Sequence, residues 1–278
     1  MNKLIVQGRK VSEVALRRFA ETLSTDYIKK NNSYVIHTED FVTQQRLRRI
    51  SNSLQMDVNL IPSSLHNEQV GLLVTDMDST LISIECIDEI ADFAGLKAQV
   101  SAVTEAAMRG ELDFAESLTQ RVAFLKGLDQ SVLNQVYEER LQLNPGAESL
   151  VSGLRQHGIK TALVSGGFTF FTDRLKDRLG LDYTLANTLE IINGKLTGKV
   201  LGDIVGGEAK AAFLLDKKQS LAPTRNQVIA MGDGANDLLM MNAADLGIAY
   251  RAKPAVQAQA DCTINHSDLD GVLALLEL

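Results

Sequence analysis

Asp76 and Asp78, in Asp76-Met77-Asp78-Ser79-Thr80, set two like charges side by side. Such a pair needs a cation or a shared proton to be tolerable. A second pair, Asp233 and Asp237, stands in Gly232-Asp233-Gly234-Ala235-Asn236-Asp237. Carboxylates without His or Cys are a hard, all-oxygen ligand set that suits Mg²⁺, which keeps several waters and also binds substrate phosphate. Taken alone, either pair reads more simply as acidic residues capping a turn or a helix. Between them lies Ser165-Gly166-Gly167. Gly166, Gly167, Gly232 and Gly234 permit close backbone approach, so amide N–H groups can face an anion. The third glycine of a dinucleotide fingerprint is missing after Gly234, and no Gly-Lys-Ser/Thr P-loop occurs.

These residues share a site only if strands deliver them to one edge. Leu72–Val74 precedes Asp76, Thr161–Val164 precedes Ser165, and Val228–Met231 precedes Gly232, each a short apolar run of strand character. Further strands are expected near 184–200 and at Leu246–Tyr250 and Cys262–Ile264, with helical segments at 147–157, 170–179, 207–216, 235–243 and 254–259. This alternation implies an α/β fold with a Rossmann-like parallel sheet covered on both faces. Such sheets bind ligands beyond the carboxyl ends of their strands. Residues 84–142 contain no proline, carry apolar residues at three and four spacing, and break at Gly95, Gly110 and Gly127. That block is too long for a crossover and reads as an inserted helical cap.

Residues 1–66 form a separate expectation, a small α+β unit of ferredoxin-like order. Its strands are Leu4–Val6, a hairpin of Tyr27-Ile28 with Tyr34–Ile36, and Val58–Ile61. Its helices are 12–23 and 40–54, the latter placing Phe41, Leu47, Ile50 and Leu54 on one side. The polar stretch from Pro62 to Glu68 reads as a linker, leaving 67–278 as the second domain. The first unit is expected to be dispensable for the chemistry. Its residues leave open whether it binds an amino acid or supplies a homodimer surface.

Composition narrows the function classes. With 45% hydrophobic and 23% charged residues over 278 positions, the chain is neither disordered nor low-complexity. No apolar run approaches the ~20 residues of a membrane span. Residues 1–68 hold ten Lys/Arg and seven Asp/Glu, and the remainder holds 18 and 28, so the body carries −10 of the overall −7. That balance argues against nucleic acid as a partner. It also requires an anionic small-molecule substrate to be met by local cations or a metal. Cys86 and Cys262 cannot form a disulfide framework, and His37, His66, His157 and His266 lack zinc spacing. The first ten residues have no apolar leader core, so a cytoplasmic location is expected.

The ordered set Asp76-x-Asp78-x-Thr80, Ser165, Lys210 and Gly232-Asp-Gly-x-Asn-Asp237 resembles the four motifs of the haloacid dehalogenase superfamily, over about residues 70–278. Asp76 through Glu85, Arg121, Val164-Ser-Gly-Gly-Phe168 and Leu196-Thr-Gly198 are similar to its phosphoserine phosphatase branch, with Met77 where Phe is commoner. The N-terminal unit resembles, by element order alone, the ACT-like domain of longer bacterial members. The resemblance implies a phosphomonoester hydrolase acting on O-phosphoserine, the last step of serine biosynthesis. Asp76 would be the nucleophile, forming an aspartyl-phosphate, and Asp78 the general acid and base. Ser165, Gly166 and Lys210 would hold phosphoryl oxygens, and Asn236 would touch substrate. Mg²⁺ would sit on Asp76, the main-chain carbonyl of Asp78 and Asp233, with Asp237 orienting these groups from behind.

The cap carries the substrate signal. Phe114, Leu118, Val122 and Leu125 form an apolar stripe at helical spacing, and Arg121 falls within it. Arg121 either snorkels to water or faces a semi-enclosed pocket, where it needs an anion such as a substrate carboxylate. Glu85, at the cap's start, would suit an ammonium group. Two rival readings remain: a receiver-type signalling domain, which would lack the cap, and a related phosphatase or phosphotransferase for another small phosphorylated metabolite.

Overall fold

The computed structural model describes residues 2–40 and 42–278, with Met108 described by its backbone only. Phe41, expected on the inner side of the second helix, lies outside the described residues. The first sheet has the order β2-β3-β1-β4 and is antiparallel, from β1 (Asn2–Gln7), β2 (Tyr27–Lys30), β3 (Ser33–Thr38) and β4 (Asp57–Ile61). Helices α1 (Glu13–Thr22) and α2 (Gln44–Leu54) begin where Ser12 and Thr43 accept main-chain hydrogen bonds from Ala15 and Arg46. The Thr43 cap therefore starts α2 four residues later than the apolar spacing suggests.

Alternation along a strand sends neighbouring side chains to opposite faces. Leu4 and Val6 pack with Leu16, Phe19 and Leu47 beneath the helices. Ile5, Val35 and Ile61 turn the other way and join the main core with Tyr250, Cys262, Ile264 and Leu276. The sequence pattern reads as a separable unit, yet its second face is continuous with the rest of the molecule. Leu65, inside the expected linker, is buried in that core as well.

The second sheet has seven strands in the order β11-β10-β9-β5-β6-β7-β8. They are β5 (Val70–Thr75), β6 (Lys160–Phe168), β7 (Tyr183–Ile192), β8 (Lys195–Leu201), β9 (Gln227–Gly232), β10 (Leu246–Tyr250) and β11 (Cys262–Ile264). The five pairings from β11 to β7 are parallel, as expected for apolar runs buried on both faces. One edge departs from the expectation: 184–200 is an antiparallel hairpin, β7 with β8, turning at Asn193 and Gly194, both in left-handed conformation. Helices α7 (Ala147–Gln156), α8 (Thr169–Leu179) and α12 (Gly271–Leu275) pack on one face of this sheet, and α9 (Gly207–Gln219), α10 (Leu238–Ala243) and α11 (Pro254–Gln257) on the other, numbered after the cap helices.

The cap consists of α3 (Cys86–Phe93), α4 (Lys97–Met108), α5 (Phe114–Phe124) and α6 (Ser131–Glu139). Gly95, Gly110 and Gly127 separate them, each at positive φ, where a side chain would be strained. The chain enters and leaves the cap side by side. Asn144 Nδ2 donates to the carbonyls of Thr80 and Ile82 at 2.8 and 3.0 Å, and Ile82 pairs with Leu143. The edge hairpin also reaches the cap, because Gly127 N–H donates to Leu196 O and a Cβ on Gly198 would strike Lys126 Cβ just beyond α5. Among the described residues, no helix is long and apolar enough to cross a membrane.

Candidate active site

Three strands of the second sheet deliver the polar residues to one edge. Asp76 directly follows β5, and its N–H still donates to Met231 O on β9, which pins it beside the loop that carries Asp233. The chain then turns sharply. Ser79 adopts φ +56°, a conformation that costs a non-glycine residue roughly 1 kcal/mol. The turn lets Ser79 Oγ donate to Glu85 Oε1 at 2.7 Å. On β6 the ladder to β7 breaks between Val164 and Phe168, so Ser165, Gly166 and Gly167 are released from regular pairing although the strand continues beyond them. The sequence places the strand's end at Val164; in the fold this point is a bulge.

Asp76 is almost wholly buried and accepts a hydrogen bond from the ammonium of Lys210, which also donates to Asp237 Oδ1 at 2.7 Å. Lys210 has no exposed surface, so α9 carries it into the core rather than into solvent. Burial by itself would lower its pKa, but Asp237 and Asp76 outweigh that and raise it. Burial raises the Asp76 carboxyl well above its usual range, Asp237 adding to this and Lys210 opposing it. Asp78 points elsewhere. Its Oδ1 accepts from Cys86 N–H at 2.8 Å and its Oδ2 from Ser165 Oγ at 3.3 Å, and burial raises its pKa against those hydrogen bonds.

The glycines matter here through crowding. A Cβ on Gly167 would come within 2.7 Å of Asp78 Oδ2 and 2.9 Å of Met77 Cε. Ser165 Oγ in turn accepts from Gly167 N–H at 2.8 Å. Gly166 carries its carbonyl to Asn187 Nδ2, while a Cβ there would strike the Phe114 ring. Neither Asn187, which also accepts from Val205 N–H, nor the cap staple Asn144 is marked by any sequence motif.

One carboxylate oxygen each of Asp76, Asp233 and Asp237 lies within 4.8 Å of the others, a spacing that fits a divalent cation. Burial and Asp237 push the Asp233 carboxyl up to about 6, while Thr80 Oγ1 donates to it at 3.2 Å. Asp237 already spends both oxygens on protein, on Lys210 and on Gly234 N–H at 3.1 Å. Asp78 likewise has both oxygens engaged, which leaves its main-chain carbonyl as the donor it could give to a metal.

Above these groups a cavity of about 640 Å³ opens between the sheet edge and the cap. Asp76, Asp78, Gly166, Asp233 and Asn236 line its floor side, and Glu85 and Arg121 line it from the cap. The sequence places Arg121 in the apolar stripe, and the fold turns that stripe inward: Leu118, Val122 and Leu125 are buried while Phe114 and Arg121 border the cavity. Burial lowers the Arg121 pKa, with Asp88 and Glu85 opposing. Glu85 keeps surface open to the cavity it lines, and desolvation there, with Asp78 nearby, pushes its carboxyl up to about 8. Asp88 and Lys253 also line the cavity, and the sequence patterns do not single them out.

The family model of the haloacid dehalogenase-like hydrolases matches residues 73–242. A phosphoserine phosphatase of Polaromonas sp. is 53% identical over 225 residues, covering 79% of this chain and 95% of that protein. The chain belongs to the haloacid dehalogenase-like hydrolases, in their phosphoserine phosphatase family. Solved structures agree with this hydrolase's whole architecture, first sheet included. The crystal structure of a HAD family hydrolase from Salmonella enterica serovar Typhi superposes with a TM-score of 0.89 at 36% identity, covering 100% of this chain and 99% of that one. The unliganded probable phosphoserine phosphatase of Vibrio cholerae gives 0.84 at 41% identity, covering 99% and 86%.

Proposed function

We propose that this hydrolase converts O-phosphoserine and water to serine and phosphate, with Asp76 as nucleophile. The observation that carries the reading is one cavity with two unlike ends: the paired aspartates with Gly166 and Gly167 at the sheet edge, and Arg121 with Glu85 on the cap. The sheet end suits a phosphoryl group. On the cap side, the planar guanidinium of Arg121 suits a carboxylate bidentately, and Glu85 suits an ammonium. Phosphoserine carries all three groups.

In the first step an oxygen of Asp76 attacks phosphorus and the bond from phosphorus to the serine oxygen breaks, with Asp78 giving that oxygen its proton. Asp78 then takes a proton from water as the water oxygen attacks the aspartyl-phosphate, which releases phosphate and restores Asp76. Ser165, the Gly166 main chain and the third N–H of Lys210 hold phosphoryl oxygens, and Asn236 contacts substrate from the cavity wall. Asp237 holds Lys210 in place.

The donor set fits Mg²⁺: the carboxylates of Asp76 and Asp233 and the main-chain carbonyl of Asp78 would hold it. Bound there, the cation would offset the charge of the transferring phosphoryl group. The cap also favours this reading over a phosphoaspartate signalling domain, because α3, α4 and α5 of the inserted helical block line the site and Asp78 lines it together with Asp76. The deciding experiment is a turnover panel of phosphoserine, phosphohomoserine, phosphosugars and a simple phosphate ester. Phosphoserine should have the highest kcat/KM; preference for a phosphosugar would overturn the substrate assignment.

A further inference from the structure

The carboxylates of Asp76, Asp78, Glu85, Asp88 and Asp233 line the cavity, and among the described residues Arg121 and Lys253 are the cations that line it. Lys210 is buried beneath the cavity floor, where its charge is already shared between Asp76 and Asp237 and only its third N–H is left for phosphate. A body of net charge −10 repels a phosphorylated substrate, so a free cation at the mouth has large leverage. Arg121 is matched to the substrate carboxylate in the reading above. Lys253 remains: it is exposed, and among the described residues it has no carboxylate partner within 4.0 Å.

Its position follows from the sheet. Ala249 of β10 pairs with Gly232 of β9, so the loop beyond Tyr250 leaves the sheet at the same edge as Asp233. Ala252 is buried, and Pro254 confines Lys253 to extended backbone, here φ −62° and ψ 150°. The segment that follows is gripped from outside the second sheet. Arg48, on α2, donates to the carbonyls of Ala258 and Ala260 at 3.4 and 2.8 Å, and Gln44 donates to Asp261 O. Asn59, on β4, pairs with both the N–H and the carbonyl of Thr263, so the first sheet closes the edge of β11.

We propose that Lys253 is a further substrate-binding residue, the cation that meets the phosphate at the cavity mouth, and that the N-terminal unit positions it through Arg48. This rests on the phosphatase reading and adds a task for the first sheet. The test uses the full chain with phosphoserine as substrate and inorganic phosphate as inhibitor. Lys253→Met should raise KM and the phosphate inhibition constant together by about five- to tenfold with kcat within about twofold, the loss expected for one charge-assisted contact. The gap from wild type should narrow as salt rises from about 20 to about 500 mM, because exposed charges are screened. Lys253→Arg should retain wild-type KM. Arg48→Met should raise KM by a smaller factor and add nothing in the Lys253→Met background.

Wild-type KM and salt dependence in Lys253→Met would overturn the Lys253 assignment, provided the wild-type chain hydrolyses phosphoserine. An Arg48→Met effect that multiplies with that of Lys253→Met would overturn the positioning role. A wild-type chain inactive on phosphoserine would sink the substrate reading instead, and titration with inorganic phosphate would still report on Lys253 directly.

Discussion

Lys210 Nζ lies 2.7 Å from Asp237 Oδ1 with neither side chain exposed to solvent, and the same ammonium donates to Asp76. One cation thus compensates two buried carboxylates, in addition to its proposed contact with phosphate. Removing one partner of such a group leaves uncompensated buried charge, a loss of about 3–5 kcal/mol. Lys210→Met should therefore abolish turnover and also shift the denaturant unfolding midpoint downward. An unchanged midpoint would show that the triad contributes nothing to stability.

Asp76 and Asp78 should fail differently when altered. Asp76→Asn removes the nucleophile and leaves the β5 end intact, so no phosphoenzyme should form; labelled phosphate trapped on this variant during turnover would contradict the assignment. Asp78→Asn keeps the nucleophile and loses proton transfer, a factor of roughly 10²–10⁴ in kcat. Near-wild-type kcat in that variant would mean that another group supplies the proton.

Arg121→Lys separates substrate recognition from chemistry. A lysine ammonium cannot reproduce the planar fork, so kcat/KM for phosphoserine should fall at least about tenfold. A small phosphate ester without a carboxylate should be hydrolysed nearly as before. Equal losses on both substrates would assign Arg121 a structural task on α5.

Activity should disappear with a chelator and return with Mg²⁺, whereas Ca²⁺ should inhibit because its looser coordination disfavours in-line geometry. A shift of the melting temperature on adding Mg²⁺ to chelated protein, absent in Asp233→Asn, would place the ion independently of turnover. Full activity after exhaustive chelation would exclude the metal.

Asp57 binds the two sheets together. Fully buried, it accepts from the N–H groups of Asn265, His266 and Ser267 at 2.8, 3.0 and 2.8 Å, and from Ser267 Oγ at 2.7 Å. Asp57→Ala strands those donors and should cost about 2 kcal/mol or more in unfolding free energy. Deleting residues 1–66 should do more, since it uncovers the core that Ile5, Val35, Ile61 and Leu65 close. A truncated chain with wild-type stability and turnover would bear out the expectation of an independent unit dispensable for the chemistry.

Strand ends are legible in this chain because apolar runs stop abruptly at polar residues, so Asp76, Ser165 and Asp233 could be placed at one sheet edge from local order alone. The cap was legible for the same kind of reason: three glycines interrupt a long proline-free block, and each proves to sit at positive φ. Arg121 stood out because a charge within an apolar stripe demands a partner.

What depends on long-range packing carried no local signal. The β7–β8 hairpin and a strand in the parallel sheet have similar residue patterns, and only pairing decides between them. Lys210 resembles a solvated helix lysine until α9 is docked against β9, where two carboxylates 27 and 134 positions distant meet its ammonium. Lys253 and Asp88 reach the cavity, and Asp57 reaches its four donors, from segments far apart in sequence. Local order fixes which residues end a strand or share a helix face, because those follow from backbone periodicity. Which charges share a low-dielectric interior follows only from how the elements pack, and there the chemistry of this site is set.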